Sequence, residues 1–387
     1  MQIKLYGPGL RPISATSPGT FIGRLTERPD FTESGRGQEI LRIRQPGKEL
    51  PPGFRAYLFD QGTVETAGSV ARDCYVLSPE WKYLADGDVV RLDPMRRTLA
   101  TLYRRASLSN SFLVTERCDN YCLMCSQPPK SRNDSWLVDE LLEAIPLVSP
   151  ATRELGITGG EPGLLGERLI QLLATMKQYL PQTAVHILSN GRSFARLEFA
   201  QALANVRHPD LMLGIPLYSD LAEEHDFVVQ AGGAFEETIA GILNLKRMGV
   251  RVELRFVIHA HTHERLPSFA RFVARNLCFV DHVALMGLEL VGFAKTNLNS
   301  LWIDPLDYQD ELTSAVVTLH RAGLRTSIYN HPLCVLPPVL HPFARQSISD
   351  WKNLYFEECE GCSQREACGG FFASATVRRS RGIRAFA

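Results

Sequence analysis

From Ser109 to Gly323 six short apolar runs alternate with amphipathic stretches, and this alternation restricts the fold more than any other feature. The apolar runs are 112–115, 154–158, 184–188, 211–217, 252–258 and 283–290, with helical periodicity at 137–148, 169–179, 235–248, 266–276 and 308–321. Gly249 and Gly323 stop two of those helices. Repeated strand–helix units predict a parallel sheet with right-handed crossovers. Six units are fewer than the eight of a closed barrel, so an open, partial (β/α)6 barrel is expected. Ligands of such folds gather at the carboxyl ends of the strands.

The residues after the strands carry the chemistry. Behind the first strand lies Thr115-Glu116-Arg117-Cys118-Asp119-Asn120-Tyr121-Cys122-Leu123-Met124-Cys125, a C-x3-C-x2-C spacing. Three thiolates on one loop can share a soft metal centre. A closed zinc site would want a fourth ligand nearby, and no His or Cys follows within the next turn. A [4Fe–4S] cluster on three thiolates leaves one iron open. A zinc or structural cysteine loop is the plain alternative. Gly159-Gly160-Glu161-Pro162 follows the second strand, where two glycines admit close backbone approach and Glu161 is an acceptor. Ser189 and Asn190 follow the third strand and read either as ligand contacts or as a capped turn. Arg255, on the fifth strand, is suited to a bidentate carboxylate contact or to an ion pair with Glu253 or Glu289. His259, His261 and His263 share one face if extended, and Glu289 ends the sixth strand.

The flanks differ from the centre. Residues 1–108 show Gly/Pro-punctuated apolar runs, and Asp86-Gly87 before a β-branched run is a hairpin signal, so a mainly β domain is expected. Residues 109–325 form the α/β core and 326–387 a cysteine-rich extension. There Cys334, Cys359, Cys362 and Cys368 make a closed set of four, acceptable to zinc or to a fully ligated [4Fe–4S] cluster. The remaining cysteines, Cys74 and Cys278, read as buried small hydrophobes. Arg378, Arg379, Arg381 and Arg384 read as a solvated tail.

With 42 basic and 42 acidic residues the chain has no net field to draw nucleic acid or a membrane surface. It has no 18-residue apolar run and no signal-peptide core at its start, so a cytoplasmic location is expected, where clustered thiols read as metal ligands.

The cysteine spacing together with Gly159–Pro162 resembles the radical S-adenosylmethionine (SAM) enzymes. That resemblance implies a [4Fe–4S] cluster on Cys118, Cys122 and Cys125 whose open iron chelates SAM. One-electron cleavage of SAM then yields methionine and a 5′-deoxyadenosyl radical that takes hydrogen from a substrate. It also implies that Gly159, Gly160, Glu161 and Pro162 meet the SAM amino group, and that Ser189, Asn190 and Arg255 lie near its ribose or carboxylate. Met124 stands where the family usually has an aromatic residue near the adenine; a thioether also packs well against rings. In this setting the C-x2-C-x5-C of Cys359, Cys362 and Cys368 resembles a SPASM/twitch-like extension with an auxiliary [4Fe–4S] cluster. A further cysteine expected at Phe372 is absent.

At closer range, Leu113–Cys118, Cys122–Pro129, Ile157–Pro162, Arg345–Asn353 and Cys368–Ser374 resemble the His-Xaa-Ser system maturases of the HxsC type. That implies a precursor peptide with His-Xaa-Ser repeats, a companion radical SAM protein and an electron donor such as flavodoxin or ferredoxin. A radical SAM enzyme acting on a small metabolite or cofactor precursor is the alternative.

Overall fold

The computed structural model describes residues 4–14, 19–45, 50–63, 73–346 and 354–387. Of the stretch 345–353 that carries part of the HxsC resemblance, residues 347–353 lie outside the described residues. The chain divides into two compact units, residues 1–112 with 136–155 and 175–183, and residues 113–135 with 156–174 and 184–387.

The first unit contains an eight-stranded sheet of β1 (Tyr6–Pro8), β2 (Leu10–Ser14), β3 (Phe21–Thr26), β4 (Glu39–Ile43), β5 (Ala56–Phe59), β6 (Cys74–Leu77), β7 (Val89–Asp93) and β8 (Thr98–Tyr103). Its order is β1-β8-β7-β3-β4-β5-β6-β2. The pairs from β3 to β6 run parallel and the flanking pairs antiparallel. Trp81, Tyr75, Leu58, Ile40 and Leu25 fill one core cluster, and Tyr57, Phe59, Phe54 and Cys74 a second. The expected mainly β region is therefore present, with Cys74 buried in it. The Asp86-Gly87 turn does not join a hairpin. It leads into β7, and the hairpin is β7 with β8. Gly87 N instead bonds Leu25 O, and the buried Asp88 carboxylate accepts from Ala85 N and Arg105 N, which fixes that entry.

The second sheet orders β15-β14-β13-β12-β11-β10-β9. Its strands are β9 (Asn110–Thr115), β10 (Glu154–Gly159), β11 (Ala184–Leu188), β12 (Leu211–Pro216), β13 (Arg251–Ile258), β14 (His282–Gly287) and β15 (Thr326–Tyr329). Pairs from β11 to β15 are parallel in register. All six expected strands are present. The seventh, Thr326–Tyr329, was not foreseen, because four residues with one aliphatic side chain give no periodic signal. Helices Glu167–Tyr179, Leu197–Asn205, Ala234–Arg247, Leu266–Asn276 and Gln309–Arg321 separate the strands. The helix Ala234–Arg247 ends as expected at Gly249 (φ +76°), where Val250 N bonds Leu245 O.

The sheet is apolar where it is covered and polar on its other face. Val252, Leu254, Phe256 and Ile258 of β13 are buried among neighbours such as Phe269, whereas Glu253 and Arg255 alternate with them. Cys278 is exposed rather than buried, because it lies beyond the last turn of the helix Leu266–Asn276. Among the described residues no helix is long and apolar enough to cross a membrane.

Candidate active site

The three-cysteine loop leaves β9 at Thr115 and is held at many points. The buried Asp134 carboxylate accepts from Thr115 Oγ1 (3.0 and 3.1 Å) and from Glu116 N (2.5 Å), and pairs with Arg117 (3.3 Å). Tyr121 N and Leu123 N donate to Val229 O and Val228 O, Asn297 Nδ2 donates to Leu123 O (2.8 Å), and Phe293 N donates to Cys125 O (2.8 Å). Met124 is buried in a cluster with Tyr218, Val228, Val229, Ala294 and Leu301, against which Cys122 and Leu123 also pack.

The three thiols feel one another. Cys118 is pushed up to about 12, first by burial and then by the charges of Glu161, Asp119 and Cys125, against the N–H of Asn120 that donates to its sulfur (3.4 Å). Cys122 is raised further, by burial and then by Cys125 and Cys118. Burial also raises Cys125, whose thiol donates to Gln127 O (3.0 Å). Desolvated thiols so close in charge ionise together only around a cation. Among the described residues, no three His, Cys, Asp or Glu side chains are arranged as they stand to hold a metal ion. The donor set itself is three coupled thiols on one loop with a backbone N–H on one sulfur. It fits a thiolate-bound iron–sulfur group lacking one protein ligand.

Gly159 and Gly160 lie against this loop. A Cβ on either would overlap the backbone oxygen of Thr115 or of Arg117. That closeness lets Gly160 N donate to Thr115 O (2.9 Å) and Glu161 N to Arg117 O (2.8 Å). Glu161, expected as an acceptor, is a fully buried hub. Its carboxylate accepts from Gly163 N (2.6 Å), Ser189 Oγ (2.7 Å) and Asn190 N (2.5 Å). Burial pushes it up to about 7, with the Asn190, Ser189 and Gly163 donors opposing. Glu161 thereby ties Ser189 and Asn190 to the Gly-Gly-Glu-Pro turn, and Pro162 starts the short helix that Glu161 caps.

A second tie was not foreseen. Asn190 Nδ2 donates to Asp119 Oδ1 (2.6 Å). Arg192 Nη1 donates to Asp119 O (2.8 Å) and Asn120 Oδ1 (2.7 Å), while Arg192 Nε donates to Glu237 (2.6 Å). Asp119, Asn120 and Arg192 thus latch the cysteine loop to the turn after β11. In sequence the partners lie some seventy residues apart, and only the tertiary fold joins them.

Arg255 takes the ion-pair alternative. Its Nη1 donates to Glu253 Oε1 (2.9 Å), and Nη2 lies 3.3 Å from Met286 Sδ. Glu253 also shares a 2.6 Å hydrogen bond with His282, which meets Ser327 Oγ at 2.9 Å, and His186 lies 3.7 Å away. Burial raises the Glu253 carboxyl, but the His282 bond and the Arg255 and His186 charges outweigh it and hold Glu253 at about 2. A carboxyl whose folded pKa lies below its unfolded one stabilises above the unfolded value and loses that contribution as pH falls. Stability is therefore expected to drop between about pH 4.5 and about 2, by about 3 kcal/mol from this group. Denaturant midpoints across that window should fall less steeply for Glu253→Gln than for the natural chain; equal slopes would contradict the network.

His259 is buried, and burial, then His261 and His263, hold it down to about 3. Its Nδ1 accepts from His261 N (3.2 Å). The chain turns into a short helix at His263, so the three histidines do not stay extended along one face. Glu289 lies half-exposed just past β14.

The four C-terminal cysteines all lie in the second unit. Cys334 is raised by burial and then by the charges of Cys368 and Cys359, and Cys362 N donates to Cys359 O in one turn. Cys368 Sγ accepts from Leu333 N and Gly370 N, both at 3.4 Å. Four cysteines, two of them with backbone N–H groups aimed at sulfur, are a donor set that fits a thiolate-bound metal, iron–sulfur or zinc alike. The four tail arginines are exposed, as expected of a solvated end, but three of them have partners that were not foreseen. Arg381 pairs with Asp307, Arg379 pairs with Glu358 (2.6 Å) and covers Phe356, and Arg378 covers Trp302. These partners lie outside the tail's own sequence, so its composition alone read as solvated. Beside it opens a cavity at the ends of β13, β14 and β15, walled by Ile258, Leu288, Trp302, Phe371 and Phe372 with Arg378 at its edge.

Residues 112–273 match the Radical SAM superfamily. A solved structure of anSMEcpe with bound AdoMet and the Cp18Cys peptide is 13% identical, covers 71% of this chain and 91% of that one, and superposes with a TM-score of 0.50. SuiB of Streptococcus suis bound to S-adenosylmethionine is 14% identical over 58% of this chain, with a TM-score of 0.45. This chain spans 51% of SuiB, about half its length. A radical SAM methyltransferase from Sphaerobacter thermophilus is 16% identical over 63% of this chain and 73% of that one, with a TM-score of 0.44. No curated protein matches the chain.

Proposed function

We propose, on the premise that residues 112–273 of this chain are a radical SAM domain, that the protein is a peptide maturase acting on a ribosomally made precursor with His-Xaa-Ser repeats. The observation that carries the reading is the C-x3-C-x2-C loop, latched at the strand ends to Glu161, Ser189 and Asn190. Cys118, Cys122 and Cys125 would hold the [4Fe–4S] cluster. When bound there, such a group would supply the one-electron chemistry for reductive cleavage of SAM. Asp134 and the Val228 and Val229 carbonyls fix the loop's path, so the three sulfurs keep one spacing. Glu161 aligns the Ser189–Asn190 turn, and Arg192 clamps that turn to Asp119, so polar groups converge beside the thiols. Met124 and its apolar neighbours exclude water from the loop's inner side.

The peptide substrate is supported by a fold shared with anSMEcpe, which was crystallised with AdoMet and a peptide together. The cavity walled by Trp302, Phe371 and Phe372 suits one apolar side chain of such a peptide, with Arg378 able to meet an acidic neighbour. Cys334, Cys359, Cys362 and Cys368 would hold an auxiliary [4Fe–4S] cluster; a companion radical SAM protein and a flavodoxin or ferredoxin donor complete the proposal. Co-expression with a His-Xaa-Ser repeat peptide tests it. Mass spectrometry should show a changed peptide mass, lower by two hydrogen atoms for each cross-link where the modification joins a side chain to another part of the peptide. An unchanged peptide, with SAM still cleaved by the enzyme, would favour the small-metabolite alternative.

A further inference from the structure

The thiols of the C-terminal group receive backbone N–H groups from two directions. One set comes from the chain beside them, Leu333 and Gly370 on Cys368. The other comes from the tail. Phe386 N donates to Cys362 Sγ (3.4 Å). Ser363 N donates back to Phe386 O (3.1 Å), which closes a short two-way bridge at Cys362. The Phe386 ring meets His341 edge-on at 5.9 Å, and the His341 Nε2 sits on the carbonyls of Leu333 and Leu336, beside Cys334.

The same segment is anchored at its other end. Ser380 Oγ (2.5 Å) and Arg381 N (2.9 Å) donate to the nearly buried Asp304 carboxylate, Arg381 pairs with Asp307, and Gly382 lies against Leu306. A free tail would not keep two polar anchors at one end and an N–H···S bond with its return bond at the other, because ordering each residue costs conformational entropy.

We infer that residues 380–386 are a strap that completes the hydrogen-bond shell of a thiolate metal centre on Cys334, Cys359, Cys362 and Cys368, and governs how firmly that metal is retained. The inference rests on the reading of these four cysteines as a metal site and holds whether the metal is iron or zinc. Backbone N–H groups lower the electron density on a ligating thiolate and exclude water from it. Losing one such partner typically costs tenfold or more in metal affinity. Phe386→Pro deletes the N–H on Cys362, whereas Phe386→Ala keeps it and deletes only the ring.

The test uses the full chain carrying Cys118→Ala, Cys122→Ala and Cys125→Ala, so that only the C-terminal group can hold metal. Metal content is measured by elemental analysis, and its loss to an excess of chelator is followed in time. Phe386→Pro should lose metal about tenfold faster than Phe386→Ala, and Arg381→Ala should also accelerate loss by releasing the far anchor. Equal rates in all variants would overturn the strap while leaving the metal site intact. A chain without metal at this group would overturn both the site and the strap. Should the triple variant fold poorly, the same comparison in the chain with all its cysteines, read as the slow phase of metal release, serves instead.

Discussion

Replacing Cys122 by alanine is expected to remove about four irons per chain, to lower the broad absorbance near the violet end in proportion, and to reduce 5′-deoxyadenosine formation to background. Cys122 is central in the C-x3-C-x2-C loop, and its thiol is raised first by burial and then by the charges of Cys125 and Cys118. Two thiols cannot anchor a cubane that three already hold one ligand short. The loop backbone around Cys122 is fixed by Tyr121 N and Leu123 N on Val229 O and Val228 O, bonds the substitution leaves in place. The loss should therefore appear in iron and product while the circular dichroism of the folded chain persists. Iron that survives in this variant would belong to the proposed auxiliary cluster on the C-terminal cysteines. A variant that keeps its full iron and still makes 5′-deoxyadenosine would remove Cys122 from the site.

The second large effect is structural. Glu161→Ala leaves Gly163 N, Ser189 Oγ and Asn190 N without the acceptor they share, all in a buried setting. Each buried donor left unsatisfied costs about 1–3 kcal/mol, so a loss of about 3–5 kcal/mol is expected in denaturant unfolding. The same change frees the Ser189–Asn190 turn, whose Asn190 holds Asp119 in the cysteine loop. SAM-dependent product should fall with it. Glu161→Gln keeps the side chain's volume and one acceptor oxygen, and because burial pushes the Glu161 carboxyl up to about 7 the neutral amide loses little charge. Its destabilisation should be smaller than that of Glu161→Ala. Equal stability of Glu161→Ala and the natural chain would show that the hub does not hold the turn.

The strands could be read from the sequence because each is a run of apolar residues long enough to bury against a helix. Six runs gave six strands, while Thr326–Tyr329, with a single aliphatic residue, added a seventh unannounced. The three thiols and Gly159–Pro162 were legible because spacing is a local property. Glu253 was legible as a partner of Arg255 because alternation puts residues two apart on one face of a strand. Asp119, Asn120 and Arg192 were not legible. Charged and amide side chains in loops are common, and nothing local distinguishes those that meet across the sheet. The pairings of the tail arginines were hidden for the same reason. Arg381 looks like any exposed arginine until Asp304 and Asp307 come within reach from the chain some seventy residues earlier. Cys278 shows the converse, a thiol that composition would bury but that a helix end leaves exposed.

The most direct measurement is made on the natural chain, purified without oxygen and given a low-potential reductant and SAM. The account predicts a coloured protein that releases 5′-deoxyadenosine. A colourless protein that leaves SAM intact under those conditions would contradict it.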